Sequence, residues 1–155
     1  MSNRYVTHDT MLLERTYPAS PARVFAAWSD AKAKTVWFLG SEPDEFTPSD
    51  YELDFRVGGR EFTRGGPEGG DVYTYDARYD DIVADSRIVY SYFMLRNDVR
   101  ISSSVTSIEF VPDGNQTKLV LTEHGIYLDG EDKPEFRTAG IGGQLDALGR
   151  WLAQS

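Results

Sequence analysis

The spacing of apolar residues changes along the chain, and each change marks an element. Residues 11–17, Met-Leu-Leu-Glu-Arg-Thr-Tyr, are apolar enough for a strand, and Pro18-Ala-Ser-Pro21 ends it because proline supplies no ladder donor. Ser20 then reads as a helix N-cap with Pro21 at the first helical position, and Val24, Phe25 and Trp28 fall on one face. A second short helix is predicted after Ser29-Asp30, carrying Ala33, Val36, Trp37 and Phe38 until Gly40 stops it, with a loop following through Pro48. From Tyr51 the period becomes two: Tyr51, Leu53, Phe55 and Val57 point one way, Glu52, Asp54 and Arg56 the other.

Turn clusters divide the middle of the chain into strands. Gly58-Gly59 leads into a strand at 60–64, and the Gly-Gly-Pro-Glu-Gly-Gly run at 65–70 turns the chain again. The stretch 71–84 alternates with Tyr73, Tyr75, Ala77 and Tyr79 on one side, and Asp85-Ser86 opens a strand that runs through Leu95. After a turn at Arg96-Asn-Asp98, strand 100–111 meets strand 117–124 across Pro112-Asp-Gly-Asn-Gln116. These are consecutive antiparallel hairpins. The segment 134–153 returns to helical spacing, with Ile141, Leu145, Leu148 and Leu152 on one face and Pro134 at its start. Gly140, Gly142, Gly143 and Gly149 each cost that helix about 1 kcal/mol relative to alanine. Three explanations stand open: close approach of the sheet backbone, room left for a ligand by the missing side chains, or first turns that are not helical.

Composition narrows the classes. At 155 residues and 40% hydrophobic content, residues 1–155 suit one domain with one core. The chain has no cysteine, which removes thiolate catalysis and cysteine-rich zinc sites, and with only His8 and His124 no metal or other cofactor is expected. The balance of 16 Lys and Arg against 25 Asp and Glu gives a formal charge of −9, with the cations scattered singly, so nucleic acid is not an expected partner. The first eight residues lack the apolar core of a signal peptide, and no apolar run approaches the roughly 20 residues that span a bilayer; a cytoplasmic, non-inserted protein is the expectation. Aromatics make up 13% of the chain, which suits both a β-rich core and an interior that holds an apolar ligand.

The element order, together with Tyr17-Pro-Ala-Ser-Pro-Ala-Arg-Val-Phe25 leading into Trp28, Trp37-Phe38, Asp54-Phe-Arg-Val-Gly-Gly-Arg60, and Thr117-Lys-Leu-Val-Leu-Thr-Glu-His-Gly125 followed by Gln144-Leu-Asp-Ala-Leu148, resembles the START-like, or SRPBCC, superfamily. Within it the chain is similar to the group named after the activator of the heat-shock-protein-ninety ATPase, which includes polyketide-cyclase-like proteins. The resemblance implies an α+β helix-grip fold: a curved antiparallel sheet of about six or seven strands wrapped around a long C-terminal helix, with two short helices after the first strand. It also implies a cavity between sheet and helix, used by different members for lipids, polyketides or other apolar molecules.

Candidate chemistry is sparse. Strand alternation puts Glu123 on the face of Leu119 and Leu121, where a carboxylate could orient a ligand or act as a base; if the strand ends near Thr122, Glu123 is solvated instead. His124 points outward under the same alternation. Ser102, Ser104 and Thr106 share a face with Ile108 and Phe110 if no bulge intervenes, although solvent-facing strand positions are the simpler reading of these hydroxyls. No Gly-x-Ser-x-Gly elbow is present, and Gly140-Ile-Gly-Gly143 is not followed by the crossover unit of a dinucleotide fold. The candidate ligand-binding set is Trp37, Phe38, Phe55, Phe62, Tyr75, Tyr90, Tyr92, Glu123, Ile141 and Leu145. Binding of a small apolar or aromatic molecule, lipid- or polyketide-like, is the leading expectation. A cyclase- or aromatase-like enzyme and a co-chaperone-like interaction module are the alternatives, and a homodimer through a strand edge or an aromatic patch is compatible with the sequence.

Overall fold

The first strand, β1, runs over Val6–Tyr17 and lies at one edge of a seven-stranded sheet. The computed structural model describes residues 4–40 and 50–154. The predicted loop ending at Pro48 falls outside them from residue 41 onward. The strand begins five residues earlier than the apolar pattern suggests, because Val6, Thr7, His8 and Thr10 are exposed and are held by ladder pairing to the last strand rather than by burial.

Helix α1 (Pro21–Ser29) starts as expected: the Ser20 side chain accepts from the Arg23 N–H, and Val24, Phe25 and Trp28 are buried. Helix α2 (Ala31–Trp37) is capped by Asp30, which accepts from the Lys32 N–H. Its buried face is Ala33, Lys34 and Trp37; Val36, expected on that face, is exposed. The helix turns its apolar side toward Trp28, and at this rotation a lysine points inward.

The remaining strands are β2 (Asp50–Leu53), β3 (Arg60–Gly65), β4 (Tyr73–Val83), β5 (Arg87–Arg96), β6 (Val99–Asp113) and β7 (Gln116–Leu128), in the order β1-β7-β6-β5-β4-β3-β2, every neighbour antiparallel. The alternation predicted through Val57 stops at Leu53. Residues 54–59 fold back on themselves, with Asp54 N–H donating to Arg60 O and Gly59 N–H to Arg56 O, and Val57 is exposed. Gly59 permits this: a Cβ there would sit 2.0 Å from the Asp54 carbonyl oxygen.

Strand β7 extends four residues beyond the predicted 117–124. Gly125 looks like a terminator in sequence, but it serves the strand interior, since a Cβ there would lie 2.8 Å from the Tyr127 ring that crosses it. Ser102, Ser104 and Thr106 all point inward and are buried, which corrects the solvent-facing reading. A register shift between β5 and β6 pairs Met94 with Ser102 and Leu95 with Arg100, leaving Ile101 as the extra residue, and both Ile101 and Ser102 are turned inside.

The C-terminal helix α3 (Pro134–Gln154) is helical from Pro134 onward, so the non-helical explanation of its glycines fails. The surroundings of the glycines differ from one position to the next. At Gly149 a Cβ would stand 3.3 Å from the Tyr17 ring, and one turn earlier the Tyr17 hydroxyl donates to Leu145 O at 2.7 Å, so what approaches the helix here is a side chain of β1 and not the sheet backbone. At Gly140 a Cβ would meet nothing within 4 Å. The core lies where α1, α2 and α3 cover the inner face of the sheet, around Trp28, Ile88, Ile108, Phe110, Leu119, Leu121 and Leu148. This is the helix-grip architecture.

Candidate ligand cavity

Toward the start of α3 the covering is incomplete, and a cavity of about 420 Å³ remains between helix and sheet. Such a volume is within the range of small-molecule sites. One wall is α3, through Phe136, Gly140, Ile141 and Leu145; the second is the end of α2, with Trp37 and Phe38; the floor is Tyr75 of β4, Tyr90 and Tyr92 of β5, Ile101 of β6, and Leu121 and Glu123 of β7. Gln144 ties the two helical walls together by donating to the Phe38 carbonyl at 2.9 Å. The rings stack edge to tilted: Phe38 to Tyr75 at 5.5 Å between centroids, Tyr75 to Tyr92 at 4.9 Å, Tyr90 to Tyr92 at 6.0 Å.

Eight of the ten sequence candidates therefore meet around one space: Trp37, Phe38, Tyr75, Tyr90, Tyr92, Glu123, Ile141 and Leu145. Phe55 and Phe62 do not. Phe55 leaves the ladder in the 54–59 turn and packs in the core between Phe25 and Tyr79. Phe62 sits on the outer face of β3, opposite Asp76, under the Arg60 guanidinium at 4.3 Å. Its neighbours Glu61 and Thr63 occupy the inner face, so the period-two rule points Phe62 away from the cavity.

The polar end of the cavity is a connected network. Glu123 is 1% exposed; it accepts from Thr106 Oγ1 at 2.7 Å and from the Tyr92 hydroxyl at 2.9 Å. Arg137 of α3 donates to the Tyr92 oxygen at 2.9 Å, to Ser102 Oγ at 2.8 Å and to Asp132 at 2.6 Å, with its Nη1 3.9 Å from Glu123. Burial pushes the Glu123 carboxyl above the usual carboxylate range, while Thr106, Tyr92 and Arg137 pull it back down. Burial and then the Glu123 charge hold the Tyr92 phenol neutral, partly opposed by Arg137. For Arg137, burial works against the charge, but Tyr92 and Asp132 more than offset it, so it stays a cation.

Sequence reasoning missed Arg137 and Asp132. An arginine and an aspartate near a helix start read as solvated; the only available signal was that Arg137 precedes Ile141 by four residues and so shares its face. It also missed a second buried network, between the cavity wall and the core. There Lys34 Nζ donates to both Glu61 carboxylate oxygens at 2.9 and 2.8 Å among the rings of Trp28, Trp37 and Phe38, and the Tyr51 hydroxyl donates to Glu61 at 2.8 Å.

His124 is exposed, as alternation requires, and its ring lies within hydrogen-bond distance of His8 and Thr10. Among the described residues no group of three or more His, Cys, Asp or Glu could hold a metal ion, and no helix is long and apolar enough to cross a membrane.

Comparison with known proteins agrees with this architecture. An uncharacterized protein from Rhizobium leguminosarum is 39% identical, with a TM-score of 0.93 over 99% of this chain and 100% of that one. Protein Mll3558 from Rhizobium loti is 40% identical, with a TM-score of 0.87 over 95% and 99% of the two chains. An HSP90 activator from Plasmodium falciparum shares the fold at 24% identity and a TM-score of 0.53, over 74% of this chain and 71% of that one. A search of curated proteins returned no significant match. The family model described as "Activator of Hsp90 ATPase homolog 1-like protein" matches residues 18–153, nearly the whole of the helix-grip domain, and the chain belongs to that family.

Proposed function

We infer that the protein binds a small apolar or aromatic molecule in the cavity between the sheet and α3. The observation that carries this reading is the cavity itself. Protein interiors are close-packed, and an apolar void forfeits dispersion contacts along its lining. Gly140 is among the residues that line it on the α3 side, where a Cβ would meet nothing within 4 Å, and rings line the opposite side. A chain that needed α3 only as a lid would gain helix stability by placing alanine or leucine at that position. The co-chaperone-like alternative uses an outer surface and gives the cavity no role.

Native mass spectrometry of protein purified gently from its own host tests this. The expected result is a retained small apolar molecule, and a rise in melting temperature when that chemical class is added back. At a ligand concentration of about 100 Kd, stabilisation is about 2.7 kcal/mol, or about 5–11 °C for a domain of this size. A clean apo mass, with no stabilisation by any member of a panel of lipids and aromatic polyketides, would overturn the reading.

A further inference from the structure

We propose that His8 and His124 form a two-imidazole clamp for a divalent transition-metal ion of the zinc, nickel and copper class, on the exposed face of the sheet and independent of the cavity.

The chain has two histidines. Separated by 116 residues, they form no spacing motif in the sequence, yet the fold brings both to one place. His8 lies on the edge strand β1 and His124 on its neighbour β7; Thr10 stands opposite His124 and Ile126 opposite His8, so the rings meet diagonally across the ladder. Their centroids are 5.5 Å apart, and His8 Nδ1 lies 3.3 Å from His124 Nε2. Imidazole nitrogens hold zinc at about 2.0–2.1 Å in tetrahedral geometry, and two such bonds at the tetrahedral angle set their nitrogens about 3.3–3.4 Å apart. That is the separation already present. Both rings are exposed, and the outer torsion of histidine is broad, so each can turn to aim its lone pair at an ion between them.

The far nitrogen of His124 is fixed as well. Its Nδ1 lies 3.0 Å from Thr10 Oγ1. When Nε2 holds the ion, Nδ1 carries the proton and donates to that hydroxyl, which sets the tautomer and steadies the ring. Beneath the site, all twelve residues of β1 pair with β7 in one unbroken register, so both side chains rise from a rigid platform.

The donor atoms select the ion. Imidazole suits zinc, nickel and copper, whereas magnesium and calcium take oxygen. Among the described residues no third His, Cys, Asp or Glu joins the pair, so water completes the coordination. The start of β1 is exposed and held by its ladder bonds, and an ion at this position ties it to a strand far along the chain.

Zinc titrated calorimetrically into the full chain, in a non-coordinating buffer at about pH 7.5, tests this beside His8→Ala and His124→Ala. Both positions are exposed, so neither variant should disturb folding. We expect one zinc per chain, binding weakened about tenfold or more in each variant, and no competition from magnesium in about tenfold excess. Zinc should also raise the melting temperature of the unmodified protein and of neither variant. The proposal is overturned if no saturable binding occurs, if magnesium displaces zinc, or if either variant binds zinc as tightly as the unmodified chain, which would mark an adventitious ion only.

Discussion

Lys34 and Glu61 form an ion pair whose side chains are each 2% exposed, and removing the cation is the sharpest test of how the cavity wall is held. In Lys34→Met the methionine retains most of the apolar stem against Trp28, Trp37 and Phe38, so the main loss is electrostatic. Glu61 would be left with the Tyr51 hydroxyl at 2.8 Å and distant tyrosine hydroxyls at 3.5 Å. An unpaired buried charge of this kind costs about 3–5 kcal/mol. For a domain of this length that is a fall in melting temperature of about 6–20 °C. The double variant Lys34→Met/Glu61→Leu removes both charges and should be more stable than Lys34→Met alone, with a coupling energy of at least about 2 kcal/mol in a double-mutant cycle. Urea unfolding at neutral pH, followed by tryptophan fluorescence, measures all four species. The reasoning is refuted if Lys34→Met costs less than about 1 kcal/mol or if the two substitutions simply add.

Three further outcomes follow from the same geometry. Gly140→Ala should raise stability by about 1 kcal/mol because its Cβ meets nothing within 4 Å, whereas Gly140→Leu should fill the cavity and abolish ligand-induced stabilisation, both read by thermal shift. Burial raises the folded-state pKa of Glu123 above 4.5, so the native state holds a proton that the unfolded chain has lost; stability should fall as pH rises from about 4.5 through the raised value, and Glu123→Gln should remove that part of the slope in urea titrations across pH. Seven of the nine tyrosines, Tyr17, Tyr51, Tyr75, Tyr79, Tyr90, Tyr92 and Tyr127, have phenols raised chiefly by burial, Tyr127 to about 12. Stability should therefore drop above about pH 10, with these phenolates appearing at 295 nm together with unfolding; seven ordinary, independent titrations in a folded protein would contradict the burial assigned here.

The apolar rhythm of the chain carried most of the architecture, because each element's buried stripe is local. Ser20-Pro21, the tyrosine alternation in β4 and the 141-145-148-152 stripe of α3 each specify an element with no help from distant residues. The inward position of Glu123 followed from Leu119 and Leu121 once the strand was long enough, and its length depended on Gly125 making room for Tyr127. The polar interior was not legible for the complementary reason. Lys34 and Arg137 are charges on helices, where solvent is the default, and what draws them inside is a carboxylate 27 residues away for one and a strand hydroxyl 45 residues away for the other. The inward turn of both Ile101 and Ser102 depends on a bulge between β5 and β6, which no local pattern announces. Phe62 is the opposite case: an aromatic in a strand suggests a cavity residue, whereas the register with β4 faces it outward.

The most direct test of where the ligand goes is an isotope-filtered NMR experiment with 2-naphthol and methyl-labelled protein. Intermolecular contacts are expected to the methyls of Met94, Ile101, Ile141 and Leu145, which line the cavity, and not to Leu12 or Val105, which are exposed on the strands at the other side of the sheet. Contacts confined to Leu12 and Val105, or saturable binding with no contact to the four cavity methyls, would contradict a ligand site between sheet and helix.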